Sequence, residues 1–124
     1  MIAEKNRIYG KTKLFTHEQL KELFQDKRFE FITIALLFGS RAVDTYHDRS
    51  DYDFAFLMDK SYNTGWGIKA EAWVVVEEVL GLDDCDFDIV DLEEADEVIK
   101  HSIKEGYIIL KGDKDEVSKL LGKN

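Results

Sequence analysis

Apolar residues in this chain follow two patterns, which predict strands and helices in alternation. Short, almost continuous apolar runs such as residues 29–38 (FEFITIALLF) are rich in β-branched and aromatic side chains, as expected of a buried strand. Other segments carry apolar residues three and four positions apart, which is the spacing of one helix face. The predicted strands are 29–38, 51–58, 85–92 and 107–112. The predicted helices are 16–25, 68–81, 93–106 and 113–124.

Local signals support several of these boundaries. Thr16, followed three residues later by Gln19, is typical of a capping box at a helix start. Gly81 is typical of a glycine cap at a helix end. Gly39 and Ser40 end the first apolar run and predict a turn, which we expect to lead into a short helix. The pattern predicts an α/β (α+β) fold with a small mixed sheet of about four strands flanked by helices, in a single domain over residues 1–124. It leaves the strand order open.

Composition narrows the class of partner and the compartment. The 124 residues are 44% hydrophobic and 12% aromatic, which is enough for one domain with a core. The net charge of −9, with basic residues scattered among acidic ones, argues against long nucleic acid as a partner. A nucleotide bound with divalent cations remains compatible, because the metal supplies positive charge. We find no apolar run long enough for a membrane span and no signal-peptide pattern. The single cysteine, Cys85, is typical of a reducing compartment, so we expect the cytoplasm.

Paired aspartates stand at the start of two predicted strands. Asp51 and Asp53 lie two positions apart, and Asp86 and Asp88 repeat that spacing. Residues at this spacing on a strand share one face, so their carboxylates would repel unless a pKa is raised or a cation binds. If the two strands are neighbours, three carboxylates could converge on one point. Such a cluster suits one or two Mg²⁺ ions, which bind carboxylates, phosphate oxygens and water.

Gly39 and Ser40 would complement such a metal site. A glycine allows close approach of the backbone to a phosphate, and turn N–H groups together with the serine hydroxyl can donate to an anion. The ordinary alternatives are a plain turn at Gly39-Ser40 and solvated or capping aspartates at the strand start. Their joint occurrence at a fixed spacing favours the functional interpretation.

Other phosphate and metal motifs do not fit this sequence. No Gly-Lys-Ser/Thr occurs, so a P-loop is excluded. A calcium loop starting at Asp84 would need glycine where Ile89 stands and glutamate where Ala95 stands. His47, His101 and Cys85 lack the spacing of zinc ligands.

Gly39-Ser40, ten intervening residues and Asp51-Tyr52-Asp53 match the GSx10DxD motif of the DNA polymerase β-like nucleotidyltransferase superfamily, which this chain resembles. Its short length is similar to that of the minimal nucleotidyltransferase (MNT) branch. The sequence DFDIVDLEEAD, and IKEGYIILKGD after it, resemble the carboxyl half of that branch. The resemblance extends roughly over residues 31–111 and implies the polymerase β-like nucleotidyltransferase fold.

The resemblance also implies site residues. The implied catalytic and metal-binding residues, which would hold two Mg²⁺ ions, are Asp51, Asp53 and Asp88. Asp88 is preferred to Asp86 because it precedes Val90 as in the family pattern, and it would orient or deprotonate the acceptor hydroxyl. The implied nucleotide-binding residues are Gly39, Ser40 and Arg41. For Arg41, a solvated position on a helix is an equal alternative.

The activity implied by the resemblance is transfer of AMP from ATP, with release of pyrophosphate. Many MNT proteins resemble antitoxins that modify a tyrosine of a HEPN-family toxin, and a protein acceptor would account for the acidic charge. One departure is that Val43 and Asp44 replace the basic residue and glycine of the common GSRARG sequence.

Two alternative functions remain open at this point. One is a binding antitoxin with the same fold and no catalysis. The other is a nucleotidyltransferase acting on a small molecule such as an aminoglycoside, which would need an acceptor pocket formed by a homodimer. An apolar patch from the loop Tyr62–Trp66, or from Trp73, could form that dimer interface, or these aromatic residues could simply belong to the core.

Overall fold

A computed structural model describes residues 7–8, 11–43, 51–62 and 65–122 of the chain. Within these ranges the strands are β1 (Arg7–Ile8), β2 (Lys11–Thr12), β3 (Ile32–Phe38), β4 (Tyr52–Met58), β5 (Phe87–Asp91) and β6 (Tyr107–Lys111). The helices are α1 (His17–Leu23), α2 (Ile68–Leu80), α3 (Glu97–Lys104) and α4 (Lys114–Leu121), with a 3₁₀ turn at Lys27–Phe29. None of the helices in these ranges is long and apolar enough to cross a bilayer.

The main sheet has four strands in the order β5-β4-β3-β6. β3 pairs antiparallel with β4 and with β6, whereas β4 pairs parallel with β5. A parallel neighbour requires a crossover connection, which α2 provides between β4 and β5. The starts of β4 and β5 therefore lie side by side. The predicted mixed sheet is confirmed, and β1 and β2 form a separate antiparallel pair.

The two faces of the sheet differ in composition. Alternate residues of β4, namely Tyr52, Phe54 and Phe56, join a large aromatic cluster that includes residues of α1 and α2. We call this side the aromatic face. Ala55 and Leu57 point the other way into a smaller cluster with residues of α3 and α4. We call this second side the aliphatic face.

Element boundaries follow local capping more closely than the apolar pattern alone indicates. The predicted capping box at Thr16 and Gln19 is confirmed, and Gly81 ends α2 in a left-handed conformation, with φ 71°. The first strand starts at Ile32 rather than at residue 29, because Asp26 caps the 3₁₀ turn that precedes it. Asp96 likewise caps α3, which starts at Glu97 rather than at residue 93.

The short helix expected after Gly39-Ser40 is only partly covered by the structure. Residues 40–43 form turns, and residues 44–50 lie outside the described residues. The end of the predicted last helix, at residues 123–124, also lies outside them.

Candidate active site

The parallel pairing of β4 and β5 brings two predicted site residues face to face. Asp53 and Asp88 are direct register partners, and both lie on the aliphatic face. Asp51 stands one residue before β4 and is exposed. Burial, together with the charges of Asp88 and Asp51, raises the pKa of Asp53 from 3.8 to about 6. Asp88 and Asp51 are therefore close enough to Asp53 for their charges to disfavour ionisation of its carboxyl group.

The Asp88 carboxylate is oriented by its own backbone. The Tyr52 N–H on β4 donates to the Asp86 carbonyl at 2.9 Å. In a parallel pair only every second residue bonds to the neighbouring strand, so the backbone N–H and C=O groups of the residues between them point away from β4. Ile89 is one of these, and its N–H donates to Asp88 Oδ1 at 2.9 Å. This bond directs the exposed carboxylate at the open edge of the sheet.

Asp86 has a different environment from Asp88. Its side chain is fully buried, and its Oδ2 accepts from the Asp83 N–H at 3.2 Å. Asp86 thus holds the turn that leads into β5, whereas Asp88 is the residue opposite Asp53.

Gly39 lies directly against the Asp53 carboxylate. Phe38 pairs with Asp53 across β3 and β4, and Gly39 then turns with φ 77°. A β-carbon at position 39 would collide with Asp53 Oδ2 and lie 3.3 Å from its Cγ. Only glycine fits here, for both conformation and space. The predicted turn is confirmed, and it brings the half-buried Ser40 to the same end of β3.

Arg41 is buried, with 4% of its surface exposed. Its guanidinium carbon lies 4.7 Å from the centroid of the Tyr52 ring. Tyr52 belongs to the aromatic face, whereas Asp53 points to the aliphatic face. The alternative of a solvated position for Arg41 is therefore wrong, because the side chain is buried and stacked on an aromatic ring.

Val43, one of the two departures from the family motif, packs against Gly106. A β-carbon at Gly106 would collide with Val43 Cγ1. The other departure, Asp44, lies outside the described residues.

Comparison with known proteins identifies the family. The profile described as polymerase beta, nucleotidyltransferase, matches residues 18–115. The chain belongs to this family. No curated protein matches the nucleotidyltransferase significantly in sequence.

Solved structures share its fold. A crystal structure of a toxin–antitoxin complex with AMP-PNP matches at a TM-score of 0.61 with 22% identity, over 86% of this chain and 82% of that chain. A tri-AMPylated Shewanella oneidensis HEPN toxin in complex with MNT antitoxin matches at a TM-score of 0.56 with 19% identity, over 86% of this chain and 81% of that one. An MntA–HepT complex matches at a TM-score of 0.55 with 20% identity, over 85% and 77% of the two chains.

The donor set of the nucleotidyltransferase fits a hard divalent cation. Asp51, Asp53 and Asp88 offer only carboxylate oxygens, which Mg²⁺ prefers. Among the described residues, no lysine or arginine forms an ion pair with them. The described residues do not enclose a metal with three protein ligands, so phosphate oxygens and water would complete any coordination.

A shallow depression of about 250 Å³ opens beside Asp88. Its wall includes Lys69 at the start of α2, Val90 on β5, and Glu94 and Ile99 around the start of α3. Nothing in the sequence pattern places Lys69 near Asp88, because the two residues line one depression only when α2 crosses over to β5. The depression provides a path along the edge of the sheet to the exposed carboxylate.

The aromatic residues considered for a dimer interface have different surroundings. Trp73 packs against Phe87, with ring centroids 4.8 Å apart, and borders the core. Trp66 is 83% exposed.

Proposed function

We propose that this nucleotidyltransferase is a Mg²⁺-dependent protein adenylyltransferase. It would transfer AMP from ATP to a tyrosine hydroxyl of a HEPN-type partner toxin and so act as the antitoxin of the pair. The observation that carries the proposal is the register pairing of Asp53 with Asp88, with Asp51 beside them and Gly39 against the Asp53 carboxylate.

The chain's own residues would position the two reactants. Gly39 and Ser40 would hold the β- and γ-phosphates through turn N–H groups and the serine hydroxyl. Asp51, Asp53 and Asp88 would hold two Mg²⁺ ions, which when bound offset phosphate charge and favour ionisation of the acceptor hydroxyl. The acceptor oxygen then forms a bond to the α-phosphorus, and the bond to the bridging oxygen of the β-phosphate breaks. Pyrophosphate leaves with that electron pair, and Asp88 would receive the hydroxyl proton.

The acceptor would reach Asp88 along the depression at the edge of β5. Glu94 contributes a carboxylate to the wall of this depression, and the whole chain carries a net charge of −9. Both features favour a basic segment of a protein partner. Trp66 and Val98 are 83% and 77% exposed and stand within three residues of Lys69 and Ile99, which line the depression. Exposed apolar side chains beside a site are typical of a docking surface.

The matched toxin–antitoxin structures support a HEPN partner by fold similarity alone. The cytoplasm is the compartment we propose, on the basis of the single cysteine. A homodimer through Trp66 stays a prediction, and its test is the molar mass of the purified chain in solution.

The decisive experiment is intact-mass spectrometry of the protein mixed with ATP, Mg²⁺ and its co-purifying or co-encoded partner. We expect the partner to gain AMP units with the wild-type protein and with Asp59→Asn, and none with Asp53→Asn. Asp59 is a matched control because it follows the opposite end of β4, and its carboxylate accepts from the N–H and hydroxyl of Ser61 in the turn there.

Two outcomes would contradict the proposal. Tight partner binding without any mass gain, unchanged in Asp53→Asn, would indicate a binding antitoxin without catalysis. AMP transfer to an aminoglycoside in the absence of any partner would indicate a small-molecule enzyme.

A further inference from the structure

We propose that Arg41 is a positioning residue that holds the Gly39–Ser40 turn to the start of β4 through Tyr52, and that it does not contact the triphosphate. The inference rests on the proposed function, because it assigns a role within the same site. It replaces the role that family resemblance alone implies for Arg41.

The first argument is the side of the sheet on which Arg41 lies. Tyr52, Phe54 and Phe56 point to the aromatic face, and Asp53 between them points to the aliphatic face. The Arg41 guanidinium carbon lies 4.7 Å from the Tyr52 ring centroid, and only 4% of the residue is exposed. Its positive charge is therefore separated from the carboxylates by the strand itself. A nucleotide bound on the carboxylate side would meet the turn backbone rather than this guanidinium.

The second argument is that both members of the stack are anchored to the same segment. The Tyr52 hydroxyl accepts from the Phe15 N–H at 3.0 Å and donates to the Lys13 carbonyl at 2.9 Å. His17 Nε2 donates to the Arg41 carbonyl at 3.0 Å. Residues 13–17 thus hold the turn from one side and the tyrosine from the other. Tyr52 is itself only 1% exposed, so water does not weaken the attraction between cation and ring.

The third argument is that there is no free space between Gly39 and the Asp53 carboxylate, the contact that lies next to the stack. The Gly39 backbone is in contact with the Asp53 carboxylate, with no room for even a β-carbon. Arg41 and Tyr52 each stand within two residues of this contact, one on the turn and one on the strand. A stack between them fixes the distance between phosphate-binding turn and carboxylates. Misplacement of reacting groups by about 1 Å can cost about 100-fold in rate, so this distance matters for catalysis.

The test compares Arg41→Met with Arg28→Met, a matched change at an exposed arginine that pairs with Glu78 far from the site. We expect Arg41→Met to lower kcat by about tenfold or more, with the KM for ATP changed by less than about twofold. Arg28→Met should keep wild-type values. Tyr52→Leu, which removes the ring, should lower kcat similarly, and the double variant should be no worse than the more severe single variant.

Hydrogen exchange of the free protein provides a readout that does not need activity. The Ala42 N–H donates to the Gly39 carbonyl at 3.0 Å and reports on the turn. We expect a peptide spanning residues 39–43 to exchange about tenfold faster in Arg41→Met, with unchanged protection in β3 and β4. If Tyr52→Leu does not fold, Arg41→Met alone still decides.

Unchanged exchange in that peptide would overturn the proposal, as would a raised KM for ATP with unchanged kcat, which would indicate direct phosphate contact. Faster exchange with unchanged kcat would also overturn it, since the stack would then be structural only. If the wild-type protein transfers no nucleotide, the proposed function fails, and the exchange result still shows whether Arg41 holds the turn.

Discussion

Two aspartates three positions apart on β5 have opposite electrostatic environments. Asp91 is 8% exposed, and its Oδ2 lies 3.0 Å from Lys60 Nζ, while its Oδ1 accepts from the Glu93 N–H at 3.0 Å. Asp88 is exposed and is the register partner of another acidic residue, Asp53, across the β4–β5 pair. No lysine or arginine of the described residues pairs with either member of that facing pair.

The difference shows how one strand serves both structure and chemistry. At Asp91 the fold itself supplies the compensating cation, so the carboxylate ties β5 to the turn after β4. At Asp53, burial and then the charges of Asp88 and Asp51 raise the pKa, with no cation of the described residues to offset them. Carboxylates without a compensating cation lower the stability of the folded chain by itself. A divalent cation that binds them stabilises the folded state, so the site favours cation binding. The three predictions that follow test this contrast.

Exchanging each aspartate for asparagine should separate the two roles, and this is the largest expected effect. Asp88→Asn should reduce AMP transfer by about 100-fold or more with little change in the free energy of unfolding, because it removes charge from the reacting centre. Asp91→Asn should lower that free energy by about 1 kcal/mol and reduce transfer per folded molecule far less than Asp88→Asn does, because Asp91 borders the depression but is paired with Lys60. Transfer assays and urea denaturation of both variants measure this. Equal loss of transfer in the two variants would contradict the division.

Gly39→Ala should reduce transfer by about tenfold or more, because the new methyl group would displace the Asp53 carboxylate. The matched control is Gly122→Ala, since Gly122 has a similar φ of 82° with nothing within 4 Å of a β-carbon. Both variants should lose about 1–2 kcal/mol of stability through backbone strain. Only Gly39→Ala should lose activity, and retention of wild-type transfer would show that the glycine serves the turn alone.

The pH dependence of stability should report the uncompensated carboxylates, with the smallest effect. Because the pKa of Asp53 is raised to about 6 in the folded chain, the folded state holds more protons than the unfolded state between about pH 4 and 6. Stability of the metal-free protein should therefore fall as pH rises through that window. Asp53→Asn should be more stable than wild type by about 1 kcal/mol at neutral pH, a value reduced for partial exposure, and equal to it below about pH 4.

Thermal denaturation with and without EDTA checks this prediction. Added Mg²⁺ should raise the Tm of the wild-type protein at neutral pH and have less effect on Asp53→Asn. Parallel pH profiles for the two proteins, with no response to Mg²⁺, would contradict the interpretation.

Much of the fold could be predicted from the chain because its signals are local. Thr16 with Gln19, and Gly81, mark helix ends within one or two turns of backbone, and the apolar runs predict the four strands of the main sheet. The boundaries that differ, at Ile32 and Glu97, depend on capping by Asp26 and Asp96, which compete with an apolar pattern that continues beyond them.

The candidate site was predictable to the extent that it lies in one continuous motif. Gly39, Asp51 and Asp53 stand close together in the chain, so their spacing alone pointed to phosphate and metal chemistry. The roles of Arg41, His17 and Lys69 were not predictable in this way, because each depends on contacts with distant parts of the chain.

The sequence by itself determined the residue types, the alternation of elements and the same-face spacing of Asp51 and Asp53, because backbone geometry sets these over a few residues. Only the tertiary structure decided that β5 lies parallel beside β4, so that Asp88 and not Asp86 faces Asp53. It also decided that Asp91 obtains a lysine while Asp88 obtains none from the described residues. Register and burial arise from packing between elements far apart in the chain, and no local pattern contains that information.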